Sequence, residues 1–427
     1  RSSRIYPDHQ FHTLAKLIYS KIIIVSMFRS DFPIFTTHPN LVFLDSASSA
    51  QKPKMVIDSI SRFFASDYAN IHRGAYDLSM ESSRLYELAK TKLAHLLGLH
   101  SYHEIVFTYN ATYAFNILSR TLIKSGKLNQ GDHILLSKAD HHANIVPWQI
   151  LATEYGIIID WIDLHDDGTI DYTSIEKQIS GVKLISITGA SNVTGEILDL
   201  ERVKNILDSM ESRPIWVLDG SQRFPHMETH MSEFGIDFFV GTGHKVMSDT
   251  GIGFFAAKKD LLQSLDPAIC GGGAINSVTT LGYDPAGLPF RHEPGTPHIV
   301  GAVSLLASLE YIESIGGFSK IESYEKSLVE YTLAKIKNLP SEIQLIGSFD
   351  TKNRLGVFSF SFKNHHPNDI AEILADQGIC VRSGHHCTDP LHASLGLRGS
   401  LRMSLYIYNT TTDIDIFFSA LVQATVI

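Results

Sequence analysis

A chain of 427 residues that is 44% hydrophobic can bury a large core, and its length points to two or three domains. With 36 Lys and Arg against 45 Asp and Glu, its formal net charge of −9 argues against a protein that grips phosphate backbones, so nucleic acid is not expected as a partner. The three cysteines, Cys270, Cys380 and Cys387, are too few and too irregularly spaced for a disulfide scaffold or a zinc knuckle, so a reducing compartment is expected.

Residues 1–26 match the rest of the chain poorly. The first Met is Met27, and Lys21 interrupts the apolar stretch from Leu17 to Phe28. The segment reads as an extension outside the fold: upstream sequence from a misplaced start in preference to a weak targeting peptide, whose basic residues would be Arg1, Arg4, Lys16 and Lys21. No later apolar run reaches the roughly 20 residues of a membrane span, so no membrane partner is expected. The cytoplasm is the expected location, or an organelle stroma or matrix if the extension is a transit peptide.

From about Asp45 to residue 310, short β-branched apolar runs alternate with amphipathic stretches, the pattern of a mostly parallel sheet covered by helices. Expected strands are Glu104–Thr108, His133–Ser137, Leu184–Thr188, Ile215–Leu218, Phe238–Val240 and Gly253–Ala257, with helices such as Arg84–Leu97 and Leu200–Ser209 between them. Gly271–Pro297 reads as loop and Val300–Ser314 as a long amphipathic helix. Residues 311–427 then predict a smaller α+β domain, with helices around Tyr324–Asn338 and Pro367–Gln377 and strands at Val357–Phe362 and Arg402–Ile407. The expected division is a large α/β domain at 39–310 and a small domain at 311–427 joined by 27–38.

Thr112, His141, Asn192, Asp219 and Lys245 all fall just after expected strands, where open α/β sheets collect their ligands. Asp219 ends the apolar run Trp216-Val217-Leu218, and Lys245 follows another strand in Thr242-Gly243-His244-Lys245. An acid and a lysine at two strand exits can hold pyridoxal phosphate (PLP): the lysine forms a Schiff base and the carboxylate keeps the ring nitrogen protonated. Either residue alone reads equally as a helix cap or a solvated lysine, and the joint placement favours the cofactor. Gln222 could bond the ring oxygen, and His141 could stack on the ring or simply be packed. Thr112 and Thr242 could offer hydroxyls to the phosphate beside the free N–H groups of a helix start, or serve as caps.

Near the carboxyl end, Arg382-Ser383-Gly384-His385-His386-Cys387 places a thiol beside two imidazoles, suggesting an activated thiolate. Three adjacent residues rarely wrap one tetrahedral ion, so no metal is expected. Arg402 offers a planar fork for a substrate carboxylate, or a surface ion pair. Cys380 reads as a small buried hydrophobe.

These residues sit in a sequence that resembles the class V aminotransferase-like family and, within it, the SufS-type cysteine desulfurases. The likeness runs from about Phe43 almost to the end. Its most specific pieces are Leu44-Asp45-Ser46-Ala47 with Gln51-Lys52-Pro53, Asn70-Ile71-His72-Arg73-Gly74, His141-His142-Ala143-Asn144, Gly243-His244-Lys245, Gly295-Thr296-Pro297 and Arg382 to Cys387. The resemblance implies PLP fold type I, a homodimer with active sites at the subunit interface, and conversion of L-cysteine to L-alanine with the sulfur passing to Cys387 as a persulfide. It implies Lys245 as the cofactor lysine, Asp219 and Gln222 on the ring, and His141 stacked above it. It also implies Thr112, Thr242 and His244 at the phosphate, and Asn192, Arg382 and Arg402 on the substrate. The short approach to Cys387 is similar to the SufS branch, which implies a sulfur acceptor of SufE or SufU type and a role in iron–sulfur cluster assembly.

Four places depart from the family pattern. Tyr109-Asn110-Ala111-Thr112-Tyr113 stands for Arg-Gly-Thr-Thr-Glu, Ser248-Asp249 for Gly-Pro, Gly189 for a histidine, and Arg223 for a small residue. The departures leave one other reading open, and the scaffold, which a selenocysteine lyase shares, leaves another. A selenocysteine lyase would release selenide with little dependence on Cys387; a weakened paralogue acting as a binding subunit in sulfur transfer would be colourless with PLP.

Overall fold

The computed structural model describes residues 28–426, so the extension expected at residues 1–26 lies outside the described residues. Seven strands build the large sheet: β1 (Ile105–Thr108), β2 (His133–Ser137), β3 (Ile158–Ile162), β4 (Val182–Thr188), β5 (Ile215–Asp219), β6 (Phe238–Thr242) and β7 (Gly253–Ala257). Their order is β1-β7-β6-β5-β4-β2-β3, and β7 alone runs antiparallel to its neighbours. The sheet is covered on both faces, so β1, β6 and β7 are buried along their whole lengths and read as continuous apolar runs rather than alternating ones.

Strand β3 was not expected from the sequence. It is the sheet edge, with Ile158 exposed and Asp160 half-buried, and the acid in mid-strand masks the pattern. Two further expectations are corrected. Gly271–Pro297 is not all loop: Ile275–Val278 and Tyr283–Pro285 pair as an antiparallel hairpin, and Phe290–His292 forms a short 3-10 turn. The hairpin closes through Thr279 N–H to Gly282 O at 2.8 Å, and its tip residue Leu281 is 99% exposed. Ile299–Ser314 is helical as expected but not amphipathic, since every residue from Ile299 to Leu309 is buried, as in a core helix.

A second, fully antiparallel sheet is formed by β8 (Ile343–Ile346), β9 (Val357–Phe362), β10 (Arg382–Gly384) and β11 (Ser400–Ser404) in the order β8-β9-β11-β10. The strand expected at Arg402–Ile407 begins two residues sooner, at Ser400, and stops at Ser404. Cys380 is half-buried rather than buried, in the two-residue strand Ile379–Cys380 that pairs in parallel with Val42–Phe43. Both ends of the described chain meet here. Arg29 donates to Leu41 O and Tyr408 O and pairs with Asp413 at 3.0 Å.

Two local features aim the chain at the strand exits. Asn110 caps the helix α1 (Ala111–Lys124), its Oδ1 accepting from Tyr113 N at 2.8 Å. That cap lies directly on β7, because a Cβ on Gly253 would stand 2.5 Å from the Asn110 backbone. Among the described residues, no single helix is long and apolar enough to cross a membrane, and no three His, Cys, Asp or Glu side chains converge in a way that could hold a metal ion.

Candidate active site

The carboxyl ends of the strands and the edge of the second sheet enclose a cavity of about 390 Å³. Every site residue expected from the sequence lines it: Lys245, Cys387, His141, Asp219, Gln222, Thr112, Thr242, His244, Asn192, Arg382 and Arg402. Asp219 is the last residue of β5 and Lys245 follows β6, the strand beside it.

Burial works against charge in both. It raises the Asp219 carboxyl above its ordinary range and lowers Lys245 to about 8, while their mutual attraction opposes both shifts. The Asp219 carboxylate accepts from Ser221 N at 2.9 Å. Gln222 donates from Nε2 to Ala47 O at 2.7 Å, which leaves its Oε1 buried without a partner. Arg402 Nε is likewise buried and unpartnered. Orphaned polar atoms in the wall of one cavity call for a polar ligand.

His141 accepts from Ala143 N through Nδ1 at 3.0 Å, so any ring proton sits on Nε2. Burial first, then the nearby Lys245, lowers its pKa to about 3, so the ring is neutral. His244 is lowered to about 4 by the same two causes. Lys52 fixes the backbone beside Lys245, donating to His244 O at 3.3 Å and Ala50 O at 2.6 Å. Thr112 lies in the first turn of α1, where backbone N–H groups have no helical partner.

At the opposite wall, Asp45 gathers two arginines. Arg382 clamps it from Nε (3.2 Å) and Nη2 (2.8 Å), and Arg402 reaches it from Nη2 at 3.4 Å. Sequence reasoning gave Asp45 no role, although its place in Leu44-Asp45-Ser46-Ala47 marked it. Asp140 was missed too. It is fully buried and accepts from Ser137 N (2.9 Å) and Thr188 N (2.6 Å), which ties β2 to β4 behind His141.

Cys387 is exposed, on a backbone with two consecutive non-glycine residues in the left-handed region, His386 (φ 53°) and Cys387 (φ 57°). Each costs of order 1–2 kcal/mol and persists only where surrounding contacts enforce it. The expectation that two imidazoles activate the thiol is corrected. The left-handed turn directs His386 to Ser400, whose Oγ and O lie 3.1 and 3.2 Å from its Nε2, and burial lowers its pKa well below the ordinary range. His385 pairs instead with Asp389 at 3.0 Å. The cations electrostatically coupled to Cys387 are Lys245, Arg382 and Arg402.

The family model for class-V aminotransferases matches residues 42–417. The chain belongs to the class-V aminotransferase family. It is 35% identical over 395 residues to a probable cysteine desulfurase of Streptomyces coelicolor, covering 91% of this chain and 94% of that protein. A cysteine desulfurase of Yersinia pestis is 36% identical over 393 residues, covering 91% and 95%. Among solved structures, the apo cysteine desulfurase of Thermococcus onnurineus superposes with a TM-score of 0.87 at 33% identity, covering 93% and 97%. The S-sulfonic acid form of the Escherichia coli cysteine desulfurase CsdA gives 0.85 at 30%, covering 94% and 98%.

In this class-V chain Gly189 and Arg223 fit each other: a Cβ on Gly189 would lie 3.1 Å from Arg223 Cδ. Arg223 is buried there, bonded to Thr229 Oγ1 at 2.9 Å. The Ser248-Asp249 departure is absorbed by Ser304, whose Oγ lies 3.1 Å from Ser248 Oγ and accepts from Asp249 N at 2.7 Å.

Proposed function

We propose that this protein is a PLP-dependent cysteine desulfurase of SufS type, converting L-cysteine to L-alanine and carrying the sulfur away as a persulfide on Cys387. The observation that carries the reading is one cavity with Asp219 and Lys245 at neighbouring strand exits and an exposed thiol on its opposite wall.

The cavity fits the cofactor. A buried carboxyl suits a protonated ring nitrogen, a lysine lowered to about 8 is neutral often enough to attack an aldehyde, and the start of α1 offers N–H groups to a phosphate. When bound, PLP supplies an electron sink that eases cleavage of the substrate's Cα–H and C–S bonds.

The chain's own residues do the rest. Arg402, with Arg382 beside it, receives the substrate carboxylate. The Lys245 amine takes the proton from the substrate Cα at Nζ and holds it for return. The Cys387 thiolate attacks the substrate sulfur: a sulfur–sulfur bond forms, the carbon–sulfur bond breaks, and the departing carbon collects a proton to become alanine.

Cys387 comes soon after β10, with no long insertion, which supports a sulfur acceptor of SufE or SufU type and a place in iron–sulfur assembly. Exposed Phe64, Tyr68, Tyr76, Met80 and Tyr109, each at least 50% accessible, support a homodimer. Tyr109 stands beside the cavity-lining Asn110, as a site at a subunit interface requires.

The test is the visible spectrum of the protein with PLP, then L-cysteine and a thiol reductant with sulfide and alanine assayed together. Equal sulfide and alanine with a shift of the visible band is the expected result. No band with PLP overturns the reading.

A further inference from the structure

We infer that Lys52 is a positioning residue for Lys245, acting through the carbonyl of His244, the residue joined directly to the Lys245 nitrogen. The inference rests on the reading of Lys245 as the cofactor lysine.

Three donors from one short segment converge on that carbonyl. Ala50 N reaches His244 O at 3.1 Å, Ser49 Oγ at 3.4 Å and Lys52 Nζ at 3.3 Å. Lys52 Nζ also donates to Ala50 O at 2.6 Å, so one ammonium closes its own turn and clasps the peptide ahead of Lys245. Burial lowers Lys52 to about 8, with the Asp249 charge opposing. At neutral pH the group is therefore mostly a cation, and its hydrogen bonds are charge-assisted.

The turn that carries Lys245 needs such a clasp. Val246 N and Ser248 N both donate to Gly243 O, at 2.9 and 3.1 Å, which folds residues 243–248 tightly, and Met247 within it is fully buried at φ 66°. A non-glycine residue in that region is strained and persists only where surrounding contacts enforce it. Downstream of Lys245 those contacts come from the helix Ile299–Ser314: Ser308 Oγ donates to Val246 O, and Ser304 Oγ accepts from Asp249 N at 2.7 Å. Upstream they are the three donors on His244 O.

The clasp is itself anchored, and it links two walls of the cavity. Ala47 N donates to Ser404 Oγ at 2.9 Å, Gln51 N to Tyr408 Oη at 3.3 Å and Lys54 N to Asp31 O at 2.8 Å. The segment begins at Asp45, which holds Arg382 and Arg402, and ends at Lys52, so residues 45–52 tie the turn of the amine to the two arginines. Among the described residues, Lys52 lies outside the lining of the cavity. It reaches the chemistry through where it holds Lys245, because attack by an amine depends steeply on its placement.

The test compares Lys52→Met, which keeps the stem and loses the donor, and Lys52→Arg, which keeps a cation, with wild type. In the apo protein, amide hydrogen exchange across residues 243–248 should quicken about tenfold in Lys52→Met. Growth of the visible band on adding PLP should slow about tenfold, and the holoenzyme should show kcat lowered about 10- to 100-fold with KM for L-cysteine changed less than about threefold. Lys52→Arg should bring each value back to within about threefold of wild type. Ser49→Ala, a milder loss of one donor in the clasp, should move exchange and band growth in the same direction by a smaller factor. A Lys52→Met protein that is less stable but keeps wild-type exchange at 243–248 and wild-type band growth overturns the inference, and so does a Ser49→Ala protein with neither value changed if Lys52→Met does not fold. Hydrogen exchange needs no cofactor, so a wild type that forms no band with PLP refutes the reading of Lys245 and leaves exchange to decide whether Lys52 holds the turn.

Discussion

The side chain of Arg223 lies against Gly189, filling the space that a side chain at 189 would need; its Cδ is 3.1 Å from the position of a Cβ there. The two residues share one volume. Gly189→His alone should therefore overpack the site and lower stability by about 1–3 kcal/mol. Adding Arg223→Ala should recover most of that loss. Urea denaturation of the two single variants and the double variant measures the coupling, expected at about 1 kcal/mol or more; simple additivity would show that the departures are independent.

Asp219 is the carboxyl whose loss should be felt at the cofactor first. Asp219→Asn keeps the shape and the place at the end of β5 but removes the charge that would hold a ring nitrogen protonated. Turnover should fall by about 100-fold or more, with weaker retention of PLP on dialysis. Absorbance after dialysis, with alanine production, checks both.

The lowered pKa of Lys245 predicts a pH profile with a definite sign. Below about 8 the ammonium form dominates and cannot attack an aldehyde; above it the amine is free. The rate at which the apo protein takes up PLP, followed by growth of the visible band, should rise with pH up to about 8 and then level. Lys245→Arg should show no band at any pH. The shift also acts on stability. The unfolded chain holds more protons between about pH 8 and the ordinary lysine value of 10.5, so this group's burial penalises the fold most below about 8, and the penalty shrinks as pH rises through that window.

Away from the site, Lys90 and Glu293 form an ion pair with both side chains buried, and Glu293 also accepts from Tyr86 Oη at 2.9 Å and Phe107 N at 2.5 Å. Lys90→Met removes one charge and strands the other. Stability should drop by about 3–5 kcal/mol, read as a lower urea midpoint, and the double variant Lys90→Met with Glu293→Gln should recover part of it.

How much of this was legible depended on whether the signal was local. The strands that carry Asp219 and Lys245 are buried on both faces and announce themselves as apolar runs, so their exits, and the residues there, could be read directly. Strand β3 is an edge with Asp160 in its middle, and the hairpin at 275–285 hides among glycines and prolines. The cysteine loop misled for a different reason. Adjacency in sequence put two imidazoles beside the thiol, but a left-handed turn at His386 and Cys387 sends His386 to Ser400, and φ is not written in residue order. The fit of Arg223 to Gly189, and of Asp45 to two arginines more than 330 positions away, exists only once distant segments meet.

That distance bears on how the protein is made. Val42–Phe43 pairs with Ile379–Cys380, Leu44 N–H bonds Cys380 O at 2.9 Å, and Asp45 binds Arg382 across 337 positions of chain. Residues near Asp45 therefore form one wall of a pocket whose other wall emerges from the ribosome 337 positions later. Contacts of such long sequence separation form slowly. The bulk of the large sheet can assemble while synthesis continues, but the chamber facing Lys245 cannot close until β11 is out. A stalled chain ending before residue 400 would carry the lysine and the aspartate in an open, unwalled groove, so the thiol and the lysine first share a chamber only after β11 has emerged.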